Sequence, residues 1–134
     1  MEVRKEYQER GYYKVDALLG FEVIEDLLSA LQSLISRVAI AIGIEFTDDS
    51  RENVFNHLIS SVYLARPDAG SFIYDTFNRL LSAHKIFDDT DLLDITNTLL
   101  GAETTNSLAI TERQFFIMIP DDHKQLLGWH QDSG

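Results

Sequence analysis

The sequence predicts an α+β fold, in which a helical region over about residues 1–106 precedes strands over about residues 107–134. Two observations carry this prediction. Up to about residue 100, apolar residues recur at spacings of three and four, which is the period of an amphipathic helix. After about residue 107, short apolar runs replace that pattern, and such runs are typical of buried strands. Helices that come first and strands that come last are the order expected of α+β proteins.

Length and composition allow residues 1–134 to be one globular domain or a piece of a larger one, and they argue against several classes of protein. The chain has 134 residues, of which 45% are hydrophobic, so it is apolar enough to fold around a core. It has no Cys, which excludes disulfides, thiolate metal sites and a Cys nucleophile. Its 22 acidic and 11 basic side chains give a formal charge of −11, which argues against nucleic-acid binding. Without a recognisable signal peptide or membrane span, we expect a cytoplasmic protein that has no membrane partner.

The first predicted elements are a strand and a long helix. Residues 12–15 are aromatic and β-branched, which favours a strand. A helix is expected to begin near Phe21, with acidic side chains in its first turns, and to end before Gly43 as the C′ residue. Its predicted apolar stripe comprises Phe21, Ile24, Leu28, Leu31, Ile35, Val38 and Ile42.

A second helix is predicted after Asp49 or Ser50, either of which is a suitable N-cap. It should end at Arg66, because the residue before a proline, here Pro67, avoids the α region. The side chains expected to face inward are those of Phe55, Leu58, Ile59 and Val62.

Two more helices and three strands complete the predicted order. Ser71 is a candidate N-cap for a third helix, and Thr90 for a fourth that Gly101 closes. The third helix should turn Phe72, Phe77, Leu80 and Leu81 inward. Residues 108–110 and 115–119 are expected to form buried strands, and residues 126–132 another after a turn.

The motif Trp129-His130-Gln131-Asp132 is the strongest candidate for chemistry. In a strand, residues two apart point to the same face, so His130 and Asp132 can offer an imidazole nitrogen and a carboxylate oxygen to one ion. These groups are two of the three ligands in the 2-His-1-carboxylate set of non-haem Fe(II) oxygenases. Since so short a spacing also arises by chance, a structural His–Asp pair stays open as the alternative. The other histidines are interpreted as structural or solvated: His57, His84 and His123.

In its context this motif resembles the phytanoyl-CoA dioxygenase family of Fe(II)- and 2-oxoglutarate-dependent oxygenases. Trp precedes the His, Gln fills the middle position, and the motif follows two apolar runs after a helical first half. Residues 11–19 look like the opening strand of that family, and the predicted helix near Phe21 follows where the family has one. The resemblance spans essentially the whole chain, and its specific part is residues 129–132.

The resemblance implies a fold and a reaction. The fold would be a double-stranded β-helix, or jelly roll, with the N-terminal helices packed on its first strands. His130 and Asp132 match the first two iron ligands of the family, which uses molecular oxygen and 2-oxoglutarate to hydroxylate small organic substrates. Because Asp132 is intact, hydroxylation is favoured over halogenation, for which related enzymes carry a small residue at that position.

Two further residues are secondary candidates. Arg113 is a candidate contact for the cosubstrate carboxylate, with a surface role as the alternative. Trp129 is a candidate wall of the substrate pocket, with a core position as the alternative. The family also has a distal His ligand and a 2-oxoglutarate-binding Arg, neither of which is assigned here. We therefore expect the chain to be an N-terminal portion of such an enzyme, with both residues beyond Gly134, and to be inactive alone.

A function from a different class also stays open. In this alternative, the chain is an acidic helical module that binds a protein partner through an apolar helix face and has no catalytic role. His130 and Asp132 would then simply pair with each other. The first function requires both side chains to converge on one ion, whereas the second does not.

Overall fold

The computed structural model describes residues 2–102 and 115–118, and its regular secondary structure there is helical. Residues 51–65 form one continuous helical stretch, in which a π-helical segment lies between two α-helical parts. In chain order the elements are α1 (Glu2–Arg10), α2 (Phe21–Ala41), α3 (Arg51–Asn53), the π-helical segment (Val54–Leu58), α4 (Ile59–Ala65), α5 (Pro67–Phe77), α6 (Leu81–Phe87) and α7 (Thr90–Leu100).

Helix α2 is the longest of these elements and confirms the predicted helix. It begins at Phe21, and Gly43 follows its end with a φ of +82°, the left-handed conformation that a C′ glycine supplies. The side chain of Phe21 is 77% exposed, so its predicted place in the buried stripe is wrong. The buried residues of α2 are Leu27, Leu31, Ile35, Ser36, Val38 and Ala39.

The predicted second helix corresponds to α3, the π-helical segment and α4 together, and it is confirmed at both ends. Ser50 is the N-cap, and its hydroxyl accepts a hydrogen bond from the Asn53 N–H at 3.3 Å. At the other end, Arg66 leaves the helical region with a φ of −146° and a ψ of 89°, as expected before Pro67. The buried residues of this stretch are Val54, Leu58, Ile59 and Val62.

The predicted third helix is in fact two helices, α5 and α6. Helix α5 begins at Pro67, ahead of the predicted cap Ser71, because proline fits the first position of a helix. Its inward face passes through Ile73, which is fully buried. The predicted core residues Phe72 and Leu81 are instead 57% and 81% exposed, so the inward face was assigned incorrectly there.

The fourth predicted helix is confirmed as α7, with its cap shifted by one residue. Asp89 rather than Thr90 is the N-cap, and its carboxylate accepts hydrogen bonds from the N–H groups of Asp91 and Leu92 at 3.0 and 3.1 Å. Gly101 ends the helix with a φ of +70°. Helix α7 packs against α1, which the sequence pattern did not predict.

The hydrophobic core forms where α2 meets the π-helical segment, α4, α5 and α6. The largest side chains that are fully buried in it are Ile35, Val54, Val62 and Ile73. Within residues 2–102 and 115–118, no helix has both the length and the apolar character needed to cross a membrane.

The predicted α+β fold is wrong for the described part of the chain. Residues 12–15, predicted as a strand, and residues 115–118, the described part of the predicted strand over 115–119, are neither helix nor strand. A strand requires backbone hydrogen bonds to a neighbouring strand, and the described residues form no such ladder. The expected packing of N-terminal helices on the first strands of a jelly roll is therefore corrected to a helical architecture. The predicted strands over 108–110 and 126–132 lie outside the described residues.

Candidate functional site

The residues with predicted roles in binding iron, cosubstrate and substrate lie outside the described residues. They are Arg113, Trp129, His130 and Asp132. Their predicted roles therefore remain expectations from the sequence. The site that the structure describes is the helical surface on which residues 115–118, which precede the motif, pack.

Two of the four histidines are described, and they lie on different elements. His57 is exposed on the π-helical segment, and His84 is partly buried on α6. Within the described ranges, no group of three His, Cys, Asp or Glu side chains is placed to hold a metal ion. The helical part of the chain thus offers no competing metal site among those residues.

Residues 115–118 are the described residues nearest to the motif in sequence, and they pack on the helices. Phe115 and Ile117 are partly buried, whereas Phe116 and Met118 are 63% and 71% exposed. This alternation is what an extended chain with one face against a core produces. The segment thus has the burial pattern of a strand on a core without belonging to a sheet.

The side chain of Asn78 holds this segment by its backbone. Its Oδ1 accepts a hydrogen bond from the Phe115 N–H at 2.6 Å, and its Nδ2 donates to the Phe115 carbonyl at 3.1 Å. The same Nδ2 also donates to the carbonyl of Tyr74 at 3.1 Å. One amide therefore satisfies both polar backbone groups of Phe115, which would otherwise need a neighbouring strand or water.

Aromatic rings hold the segment by its side chains. The ring of Phe115 lies 5.4 Å from that of Phe77 and 4.9 Å from that of Phe87, in tilted geometries that suit the ring quadrupoles. Phe116 approaches Tyr74 with a centroid distance of 6.4 Å. Residues of α5 and α6 thus hold Phe115 from two sides.

A small apolar cavity lies beside the same segment, with a volume of about 280 Å³. It is lined by Leu31, Phe55, Ile59, Phe77 and residues 115–118. This volume is at the lower limit of ligand pockets, and the lining contains no titratable side chain. The cavity can accept an apolar group, and none of its lining side chains can act as an acid or a base.

The least exposed ion pair among the described residues links α2 to α3. Arg51 Nη1 donates to Glu25 Oε1 at 2.8 Å, and both side chains are 35% exposed. The hydrogen bond from Arg51 lowers the pKa of Glu25. Partial burial raises this pKa, and the attraction to the charge of Arg51 lowers it further. This pair joins α3 to α2, a helix of the core.

We expect Glu25 to contribute to the pH dependence of stability. Because its pKa is lowered on folding, its contribution is present above the ordinary pKa and is lost as the pH falls through the lowered value. As the pH falls below the ordinary glutamate pKa, about 4.3, the free energy of unfolding should fall more steeply for the wild type than for Glu25→Gln. Urea unfolding at several pH values measures both slopes. Equal slopes for Glu25→Gln and the wild type would contradict the assignment.

No protein-family model, curated protein or solved structure was found to match the chain.

Asn78 is the site residue that the sequence pattern did not reveal. Asn78 is the C-cap of α5 with a φ of −66°, so it is not the left-handed Gly or Asn that commonly marks a helix end. Its main partner, Phe115, is 37 positions away in sequence. Helical or strand periodicity does not report a contact over that separation.

Proposed function

We propose that this protein acts in Fe(II)- and 2-oxoglutarate-dependent oxidation of a small organic substrate, with His130 and Asp132 as iron ligands. The observation that carries the proposal is the motif Trp129-His130-Gln131-Asp132. An imidazole and a carboxylate two residues apart supply two of the three ligands of the oxygenase triad, which leaves positions on iron open for oxygen and cosubstrate. The helix that begins at Phe21, where the resemblance expects one, adds support.

The residues of this chain have distinct roles in the proposal. His130 binds through a neutral ring nitrogen and Asp132 through a carboxylate oxygen, so metal affinity should fall as the imidazole is protonated. Arg113 pairs with a carboxylate of the cosubstrate, and Trp129 forms part of the pocket wall. Iron supplies the oxidising chemistry once a third ligand and 2-oxoglutarate are in place.

The direct test is anaerobic Fe(II) binding by the full-length gene product. Trp129 is the single tryptophan of this sequence and adjoins His130, so the quenching of its fluorescence reports metal binding if other tryptophans of the full-length product are replaced. We expect His130→Ala and Asp132→Ala each to weaken binding by at least about 100-fold, since even changes outside the ligand set often cost 10–100-fold.

The matched control is His84→Ala, which removes an imidazole from α6 and should leave the affinity unchanged. If His130→Ala and Asp132→Ala both bind Fe(II) as tightly as the wild type, the ligand assignment is wrong. Succinate formation from 2-oxoglutarate that depends on Fe(II) and on both residues would support the complete reaction.

The exposed apolar side chains favour a second candidate function, a non-catalytic acidic module that binds a protein partner. Leu64 on α4, Leu81 on α6 and Phe72 on α5 are 86%, 81% and 57% exposed. Phe is among the residue types that are enriched in protein interfaces. Fe(II) binding that depends on His130 and Asp132 would favour the oxygenase, because the protein-binding module requires no metal.

A further inference from the structure

The apolar cavity beside residues 115–118 has a floor that core packing holds in place. Leu31, Ile59 and Phe77 line it and are no more than 9% exposed. They come from α2, α4 and α5, and all three belong to the hydrophobic core. Because side chains in a close-packed core keep their positions, this floor is formed before any ligand binds.

Aromatic side chains make up much of the cavity wall. Phe55 and Phe115 line it and are partly buried. Tilted contacts with Phe77 and Phe87 hold the ring of Phe115 in place. Phe55 lies on the π-helical segment, and such segments are rare and occur frequently at functional sites. The wall therefore offers a ligand contacts with fixed aromatic rings.

Phe116 and Met118 form the outer side of the cavity. Both line it, yet their side chains are 63% and 71% exposed, so they lie between the cavity and solvent. A methionine side chain has three rotatable bonds and a polarisable sulfur that makes favourable contacts with aromatic rings. A small molecule can therefore enter from solvent by a rotation of the Met118 side chain.

The lining selects against charged ligands. All eight residues that line the cavity have apolar side chains, so none of them can pair with a charge or replace the hydrogen bonds that a polar ligand loses on leaving water. The volume of about 280 Å³ also limits the size of a ligand. An apolar cavity of roughly 150 Å³ is large enough to bind benzene. A substituted benzene ring therefore fits the space and the chemistry of this cavity.

We propose that this cavity is a binding site for a neutral, apolar small molecule of about the size of a disubstituted benzene ring. Burial of apolar surface supplies the affinity, and tilted contacts with the rings of Phe55, Phe77 and Phe115 add to it. All of the lining residues lie within the described part of the chain. The proposal does not involve the iron ligands, so it holds for an oxygenase and for a protein-binding module alike.

The methyl group of Met118 provides a direct test of occupancy. This sequence has two methionines, Met1 and Met118, and the loss of one signal in Met118→Leu identifies the Met118 methyl in an NMR spectrum of the ¹³C-methyl-labelled full-length gene product. We expect p-xylene to shift this signal saturably, with a Kd below about 1 mM. The absence of a saturable shift would overturn the site.

A matched ligand tests the selectivity against charge. In p-toluate one methyl group of p-xylene is replaced by a carboxylate, so the two molecules share their ring and their approximate size. We expect p-toluate to bind at least about tenfold more weakly, because the lining offers its charge no partner. Equal or tighter binding of p-toluate would overturn the proposed class of ligand.

A cavity-filling variant tests the location. Leu31→Phe places a larger side chain in the floor and should weaken p-xylene binding at least about tenfold, with folding checked by circular dichroism. Leu64→Phe makes the same change at a position on α4 that is 86% exposed, and it should keep the wild-type affinity. Undiminished binding in a folded Leu31→Phe, or equal losses in both variants, would contradict the location.

Nuclear Overhauser effects in the wild type locate the ligand even if Leu31→Phe does not fold. We expect them between the methyl groups of p-xylene and those of Ile59 and Met118, which line the cavity. Effects to the exposed Leu64 in their place would overturn the location. Iron binding is not needed for any of these measurements, so failure of the proposed function leaves their outcome unaffected.

Discussion

Replacing Ile35 with alanine is expected to lower the free energy of unfolding by about 2–5 kcal/mol. Ile35 lies on α2 and is fully buried in the core. Truncation removes buried apolar surface and leaves a cavity, and the close-packed neighbours relax only in part. Urea unfolding followed by far-ultraviolet circular dichroism measures the change, which should appear in the midpoint at an unchanged slope.

Helix α2 provides its own control for this prediction. Ile40 lies on the same helix and is 66% exposed, so Ile40→Ala makes the same chemical change at the surface. Its cost should stay within about 0.5 kcal/mol. A loss below about 1 kcal/mol for Ile35→Ala, or equal losses for the two variants, would contradict the core described here.

Replacing Gly70 with alanine is expected to lower the free energy of unfolding by about 1–3 kcal/mol. Alanine is the better helix former by about 1 kcal/mol, so helix propensity alone predicts the opposite sign. Gly70 is buried on α5, however, and a Cβ there would meet the ring of Tyr63 on α4. The contact includes the Cγ of the ring, so the whole side chain of Tyr63 must shift.

A double-mutant cycle tests the cause of this effect. In a Tyr63→Ala background the ring is absent, and Gly70→Ala should become neutral or stabilising because only helix propensity remains. The measurement is the free energy of unfolding of the wild type, both single variants and the double variant. Additive changes would show that the α4–α5 contact is not what requires glycine at position 70.

The helix ends show what local sequence predicts well. Ser50 is the N-cap of α3, and glycines with positive φ follow α2 and α7. These features depend on a few consecutive residues, since a cap bonds to N–H groups two or three positions away. Periodicity also located α2, whose buried Leu31 and Ile35 lie four positions apart.

The fold class shows what local sequence cannot decide. Residues 12–15 and 115–118 have the composition of strands, yet neither forms one. Strand propensity describes how a side chain fits a half-buried pleated surface, and the ladder itself depends on a partner elsewhere in the chain. For Phe115 that partner is the amide of Asn78, and no periodic pattern encodes such a pair.

For the candidate site too, some features follow from local sequence and others only from tertiary structure. The sequence by itself supplied the proposed iron ligands, His130 and Asp132, because ligand chemistry is a property of the side chain. It also determined the Ser50 cap and the C-terminal ends of α2, α4 and α7, because capping and the residue before a proline act locally. Only the tertiary structure decided which apolar faces are buried, that Asn78 holds Phe115, and that residues 115–118 rest on helices rather than in a sheet. Those outcomes depend on which distant surfaces meet, and burial and hydrogen bonding between distant residues are set by packing.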